Sequence, residues 1–250
     1  MSRNLQRGTF RCTTFECRHE VNFRVGTFFY GSSMKLHKIL RLAWHWIFRT
    51  PASSLPAMMS CSSKTVAKYN KHFCQLIEQS ISLIDTKIGG DGVLVEIDEC
   101  KMGRRKYHRG HRVEGVWVLG GVERHNTENV FFVSVPDRTS ETLVKHISDY
   151  ALPGSIICTD MWKGYGLLNS MGYEHQHVNH SVHFKNPETG VHTNTIEGTW
   201  NGLKMQIKPR NRTRKFIDSE LVVAIWRKKN KQSLWEAFMK CLKETHYELE

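Results

Sequence analysis

The chain has 250 residues, 40% hydrophobic and 24% charged, with 36 Lys and Arg against 24 Asp and Glu for a net charge of +12. This composition excludes a wholly disordered chain and supplies enough apolar residues for a core, while no apolar run approaches the roughly 20 residues of a membrane span. The basic excess favours polyanionic partners, nucleic acid first. It is uneven: residues 1–89 hold 13 basic and 4 acidic residues, a net of +9, and residues 90–215 hold 17 and 14, a net of +3.

Residues 1–30 are polar, Arg-rich and aromatic, with short β-like runs such as 21–25. Arg3, Arg7 and Arg11 stand where a secretory leader needs an apolar block, so an intracellular protein is expected, nuclear if the host is eukaryotic. The 7 cysteines are odd in number and scattered, as reduced thiols are. Only Cys12 and Cys17 are close enough to suggest metal ligation. A structural zinc takes four ligands, usually as two close pairs. No zinc is therefore expected here, even with His19 nearby.

The next stretch reads as helices. Leu36, Ile39, Leu40, Ala43 and Ile47 keep a helical period over 35–48, with Gly31-Ser32-Ser33 as the expected start and Pro51 beyond the end. A short segment at 54–59 leads to Ser60-Cys61-Ser62-Ser63, a cap cluster for a helix over 64–83. Its apolar face is Val66, Tyr69, Phe73, Leu76, Ile77 and Ile81. The opposite face carries Lys64, Lys68 and Lys71. Three helices with short turns, the last basic near its start, suit a helix-turn-helix DNA reader. Any small helical bundle shares that pattern.

Gly89-Gly90-Asp91-Gly92 breaks the chain, and the texture turns to strand. Strands are expected at 93–99, 113–122 and 129–135. A helix follows over 140–150, then a strand at 155–160, a short helix at 165–171, a strand at 174–178 and a helix at 194–207. Two more helices are expected at 217–228 and 233–243. Three strands entering an α/β pattern are how the ribonuclease H-like fold begins. The expected organisation is 1–30 as a zinc-ribbon-like remnant, 31–89 as a helical DNA-binding region, 90–215 as the α/β core and 216–250 as carboxyl-terminal helices.

Asp98 and Asp160 end apolar strands, where open α/β sheets gather ligands. A carboxylate there is costly without a cation or hydrogen bonds. Glu197 lies in the first turn of its helix, and Asn194 to Glu197 also has capping-box spacing. Each acid alone has a structural explanation. Together, two strand-end aspartates and a helical glutamate are what hard divalent cations require. Lys204 lies two turns after Glu197 on the same helix face. Gly198 and Gly202 weaken that helix and suggest close approach of another backbone. Lys208, Arg210, Arg212, Arg214 and Lys215 form one basic run. Arg104, Arg105, Lys106, Arg109 and Arg112 form another. Two basic runs flanking an acidic site suit a phosphodiester backbone.

These residues carry a family likeness. Val95-Glu96-Ile97-Asp98-Glu99, Gly110-His111 and Gly115-Val116-Trp117-Val118 resemble the first catalytic block of the ISXO-type transposase domain. That domain unites certain bacterial insertion-sequence transposases with the eukaryotic Merlin elements. Thr159-Asp160 with Gly164-Tyr165 resembles the second block. His192-Thr193-Asn194-Thr195-Ile196-Glu197-Gly198-Thr199-Trp200 with Leu203-Lys204 resembles the third. Arg11-Cys12 to Cys17-Arg18 and Val25-Gly26-Thr27 resemble half of the family's zinc ribbon, whose first cysteine pair has no counterpart here. The resemblance implies a ribonuclease H-like core and a DDE triad of Asp98, Asp160 and Glu197. It implies two Mg2+ or Mn2+ ions per site, DNA as substrate, at least a dimer at synapsis, and cleavage followed by strand transfer. The DNA contacts expected are Lys64, Lys68, Arg104, Arg105, Lys204, Lys208, Arg210 and Arg212. The competing readings are a domesticated or inactive transposase-derived DNA-binding protein, which a lost triad residue would mark, and a nuclease on the same fold. All three acids are present.

Overall fold

A computed structural model of the protein describes residues 2–4, 8–82, 86–103, 114–178 and 190–245. It divides into two units, Met1–Ser80 with Ser233–Glu250, and Ile81–Gln232. The first unit opens with an antiparallel meander of β1 (Ser2–Asn4), β2 (Thr9–Arg11) and β3 (Glu20–Asn22). Three helices follow: α1 (Leu36–Ile47), α2 (Leu55–Met59) and α3 (Ser63–Ser80). The serine cluster does cap α3, because the Thr65 amide donates to Ser62 Oγ at 3.1 Å. The expected start of α1 at Ser32-Ser33 moves to Lys35. Ser32 is engaged elsewhere: its hydroxyl pairs with the Tyr69 hydroxyl at 2.6 Å and anchors the approach to α1 onto α3.

The second unit is a layered α/β body. In chain order it comprises β4 (Ile88–Gly89), β5 (Leu94–Met102), β6 (Val116–Glu123), β7 (Val130–Val135), α4 (Ser140–Tyr150), β8 (Ala151–Leu152), β9 (Ile156–Asp160), β10 (Glu174–Val178), α5 (Asn194–Gln206) and α6 (Ile217–Lys229). Five strands form one mixed sheet in the order β10-β9-β5-β6-β7. The β5, β6 and β7 strands run antiparallel, and β9 and β10 lie parallel to β5. Beside it, β4 pairs with β8. The helix expected at 165–171 is two 3-10 turns, Lys163–Tyr165 and Leu168–Met171. Gly164, Gly166 and Gly172 leave too short an uninterrupted run for an α-helix.

Alternation along β5 sorts its side chains between two cores. Cys100 and Met102 join Val118, Val122, Phe132, and the apolar sides of α5 and α6 through Trp200, Leu203, Leu221 and Ile225. Val95 and Ile97 face the other way, onto Leu143, Val144 and Ile147 of α4 with Phe131, Ile157 and Tyr165. Each fully buried Leu, Ile or Phe contributes about 1.5–3 kcal/mol, so the sheet is held from both faces. The last helix, α7 (Leu234–Glu244), belongs to the first unit, where Phe238 stands edge-on to Phe73 with centroids 5.7 Å apart. No described helix is long and apolar enough to cross a membrane.

Candidate active site

Neighbouring strands of the sheet carry the two aspartates. In the parallel β5–β9 pair, Leu94 stands beside Ile156 and Glu96 beside Cys158. Asp98 and Asp160 each lie two residues past the last of these pairs; Asp160 ends β9 as expected, whereas Asp98 falls in mid-strand, because β5 continues to Met102 in its pairing with β6. Glu197 enters from α5, one residue past Ile196, which is anchored in the core. The three carboxylates meet electrostatically at Asp98. Burial pushes its carboxyl up from 3.8 to about 6; the Glu99 amide and the Trp200 indole, as hydrogen-bond donors, pull it down, and the negative charges of Asp160 and Glu197 push it up. Asp160 is fixed by the Trp162 amide, which donates to its Oδ1 at 2.9 Å. Among the described residues, no three His, Cys, Asp or Glu side chains close into a compact ligand cage. Three near carboxylates repel one another, so an open arrangement is expected of them without a countercharge. As donors they are hard oxygens, half-buried in two cases, and that chemistry fits Mg2+ or Mn2+.

Two cross-links hold α5 against β5. Trp200 Nε1 donates to Asp98 Oδ2 at 3.0 Å. The indole can lie there because Gly120 is the residue opposite Asp98 on β6. A Cβ at Gly120 would stand 2.5 Å from Trp200 Cη2 and 2.9 Å from Phe132. The second cross-link is Glu96, which is fully buried. Its Oε2 accepts from the Thr195 and Ile196 amides at 2.8 and 3.1 Å. Its Oε1 accepts from Arg124 Nε and Thr195 Oγ1, both at 2.9 Å. The capping-box reading of Glu197 is thereby corrected: the cap residue is Thr193, which moves Glu197 one place beyond capping-box register, and the first-turn amides go to Glu96. Sequence reasoning did not single out Glu96. The available signal was an acid in the middle of an apolar strand, which must find partners.

Glu99 faces the opposite core. Burial pushes its carboxyl from 4.5 up to about 7, with Asp98 and Asp160 adding to the rise and Tyr165 and Arg138 opposing it. The Arg138 guanidinium lies 4.1 Å from the Trp117 ring centre and 4.5 Å from that of Trp162. Asp98 and Glu99 therefore keep protons in the fold, up to about pH 6 and 7, that an unfolded chain releases near pH 4. The folded state then binds more protons across that window, so metal-free stability falls as pH rises from about 4 to 7 and levels off above it. Melting curves in chelator should show this decline, and Glu99→Gln should flatten it. An unchanged slope in Glu99→Gln would contradict the assignment.

The expected cations are dispersed. Lys204 lies alongside the Cys100 thiol, two residues past Asp98 on β5. Lys208 and Arg210 are exposed. Arg212 closes the end of α5, donating Nε to the Ile207 carbonyl at 3.0 Å and a terminal nitrogen to the Lys204 carbonyl. Arg104 and Arg105, with Lys106, Arg109 and Arg112, lie outside the described residues. In the first unit Lys64 and Lys68 are exposed on α3. Lys68 lines a cleft of about 600 Å³ with Lys35, Lys38 and the hydroxyls of Ser60, Ser62 and Thr65, and no carboxylate lines it. Cys12 and Cys17 flank the turn between β2 and β3; hydrogen bonding from Thr14, then from Cys17, holds the Cys12 thiol below its ordinary value.

Gly198 and Gly202 correct an expectation. Among the described residues nothing lies within 4 Å of a Cβ built at either position, so none of their backbone approaches them. Gly198→Ala and Gly202→Ala should each raise stability by about 1 kcal/mol through helix propensity alone. Chemical denaturation measures this; a loss at either position would contradict the open surface.

A mixed α/β body with acids on two neighbouring strands and in the first turn of a helix tied to one of them is the class that fold and site define. The chain belongs to the ISXO2-like transposase domain family, whose model matches residues 84–214. It is 34% identical over 82 residues to an uncharacterized transposase-like protein of Haemophilus influenzae, a match covering 33% of this chain and 65% of the relative, just under two thirds of its length. It is also similar to a chain in the crystal structure of a pre-cleavage Mos1 transpososome, at 10% identity, with coverage of 88% of this chain and 82% of that one. The TM-score of that match is 0.28, too low to bear on the fold.

Proposed function

We propose that the protein is a DDE transposase that cleaves DNA strands at the ends of a mobile element and joins them to target DNA. The observation that carries this is Asp98, which Trp200 Nε1 ties to α5 at 3.0 Å and whose carboxyl, raised first by burial, also feels the charges of both Asp160 and Glu197. The strand order, three antiparallel strands followed by two parallel ones, supports a ribonuclease H-like core. Asp98, Asp160 and Glu197 would hold two divalent cations, Mg2+ or Mn2+. Bound there, such cations supply activation of the attacking oxygen and stabilisation of the leaving one.

The chain's own groups do the rest. Trp200 orients Asp98 and favours its charged form. Lys204, two turns from Glu197, meets a backbone phosphate as a point charge. Lys208, Arg210, Arg104 and Arg105 track the phosphodiester, while Arg212 holds the turn that carries Lys208 and Arg210 against the end of α5. The first unit, a helix-turn-helix-like reader, grips the duplex through Lys64, Lys68 and the hydroxyl-lined cleft. Water attack on the phosphodiester at the element end leaves a 3′-hydroxyl and a 5′-phosphate; that hydroxyl then attacks a target phosphodiester and displaces the target's own 3′-oxygen, so no covalent protein intermediate arises. Joining two element ends to one target calls for at least a dimer.

The test uses purified full-length protein and duplexes carrying the inverted repeats that flank its gene. Cleaved ends joined to a target plasmid support a transposase. Cleavage without joining would favour a nuclease, and salt-sensitive binding with neither would favour a DNA-binding derivative.

A further inference from the structure

Glu96 is a fully buried acid on the same face of β5 as Asp98 that the proposed chemistry does not use. An ionised carboxylate has about four lone-pair sites. Those of Glu96 are filled by the Thr195 amide, the Ile196 amide, Thr195 Oγ1 and Arg124 Nε. It has no oxygen left for a cation or a substrate. It also lies two residues before Asp98, on the same face of β5. Its partners on α5 come immediately before Glu197, and the Trp200 bond to Asp98 comes three residues after it. Residues 96 and 98 of one strand are thus tied to residues 195–196 and 200 of one helix, with Glu197 between the two ties.

Arg124 extends the brace. It donates Nε to Glu96 and a terminal nitrogen to the His192 carbonyl at 2.8 Å, holding the segment that leads into α5. The first-turn amides of a helix lack partners within the helix, and a carboxylate there also meets the positive end of the helix dipole. Glu96 therefore anchors α5 at its start, where Glu197 stands, against the mutual repulsion of Glu197, Asp98 and Asp160.

We propose that Glu96 is a positioning residue, a buried brace that sets the spacing between Asp98 and Glu197 and thereby the affinity of the site for divalent cations. This rests on the reading that the triad holds those cations. The test uses the full chain, with Mn2+ as probe in calorimetric titration and amide hydrogen exchange on the metal-free protein. Glu96→Gln should weaken Mn2+ binding about 10–100-fold, the range for groups that orient metal ligands from behind. Thr195→Val, which loses only the Oγ1 bond and keeps the fold within reach, should weaken it a few-fold. Ile147→Ala, a cavity under α4 on the opposite face of the sheet from these ties, should cost stability but leave Mn2+ affinity within about twofold. Amides of 195–197 in Glu96→Gln should exchange about tenfold faster, with those of α6 unchanged.

Unchanged Mn2+ affinity in Glu96→Gln would overturn the proposal and leave Glu96 as a helix cap only. Equal losses in Glu96→Gln and Ile147→Ala would overturn it in favour of global stability. If the wild-type protein itself takes up no Mn2+, the cation reading of the triad fails and the link to affinity with it. The brace is then judged by exchange, and protected 195–196 amides in Glu96→Gln would overturn that too.

Discussion

Asp98→Asn, Asp160→Asn and Glu197→Gln should each lower DNA strand cleavage by about three orders of magnitude, roughly 4 kcal/mol of transition-state stabilisation. Each variant removes one carboxylate from a set that neighbours Asp98. The double variant Asp98→Asn with Glu197→Gln should lose little more than either single one, because residues serving one centre fail together. DNA retention through the first unit should survive in all of them. Glu99 is the internal control. It follows Asp98 directly but faces the α4 side, near Tyr165 and Arg138. Glu99→Gln should keep most cleavage activity and gain stability at pH 8, since a buried carboxylate that resists ionisation is removed. Measured rates that fall equally at Asp98 and Glu99 would contradict the two-faced reading of β5.

Gly120 carries the second large effect. A Cβ there would stand 2.5 Å from the Trp200 ring. Gly120→Ala should therefore push the indole off Asp98 and cost about 1–3 kcal/mol in overpacking. Trp200→Phe separates the two consequences, because it keeps most of the bulk and removes the donor. The Trp200 hydrogen bond lowers the Asp98 carboxyl, so losing it should raise that carboxyl further above about 6. Protons then compete with cations to a higher pH, and the acidic limb of the cleavage profile should move to more alkaline pH in Trp200→Phe. A cleavage profile unchanged in Trp200→Phe, or a Gly120→Ala protein of wild-type stability and rate, would contradict this arrangement.

Most of the second unit was legible because its signals are local. The strands 129–135 and 155–160 alternate or run apolar between turn residues, and they fall within a residue or so of β7 and β9. The α4 helix begins at Ser140, as its turn residues imply. The strand-end position expected of Asp160 is the one it holds, but Asp98 falls in mid-strand, because β5 runs on to Met102 in a pairing with β6 that its local sequence does not show. What escaped is non-local. Glu96 reads as an odd acid in a strand until α5 is docked 99 residues away. Gly120 reads as a weak point in β6 until the Trp200 ring lies across it. Arg212 reads as one more cation in a basic run, yet its guanidinium closes α5. Gly198 and Gly202 misled in the other direction, because a helix-weakening residue does not reveal whether anything touches it.

The account turns on Asp98, Asp160 and Glu197 acting as one cation-dependent centre. The most direct measurement is the change in melting temperature on adding Mn2+ to full-length wild-type protein and to each of the three single variants. A ligand that binds only the folded state stabilises it in proportion to the logarithm of its saturation ratio, and relief of carboxylate repulsion adds to this. The predicted result is a clear rise in the wild type at pH 7.5, smaller at pH 5.5, and largely lost in Asp98→Asn, Asp160→Asn and Glu197→Gln alike while Glu99→Gln retains it. A wild-type protein indifferent to Mn2+, or an Asp98→Asn protein that responds as the wild type does, would contradict the account.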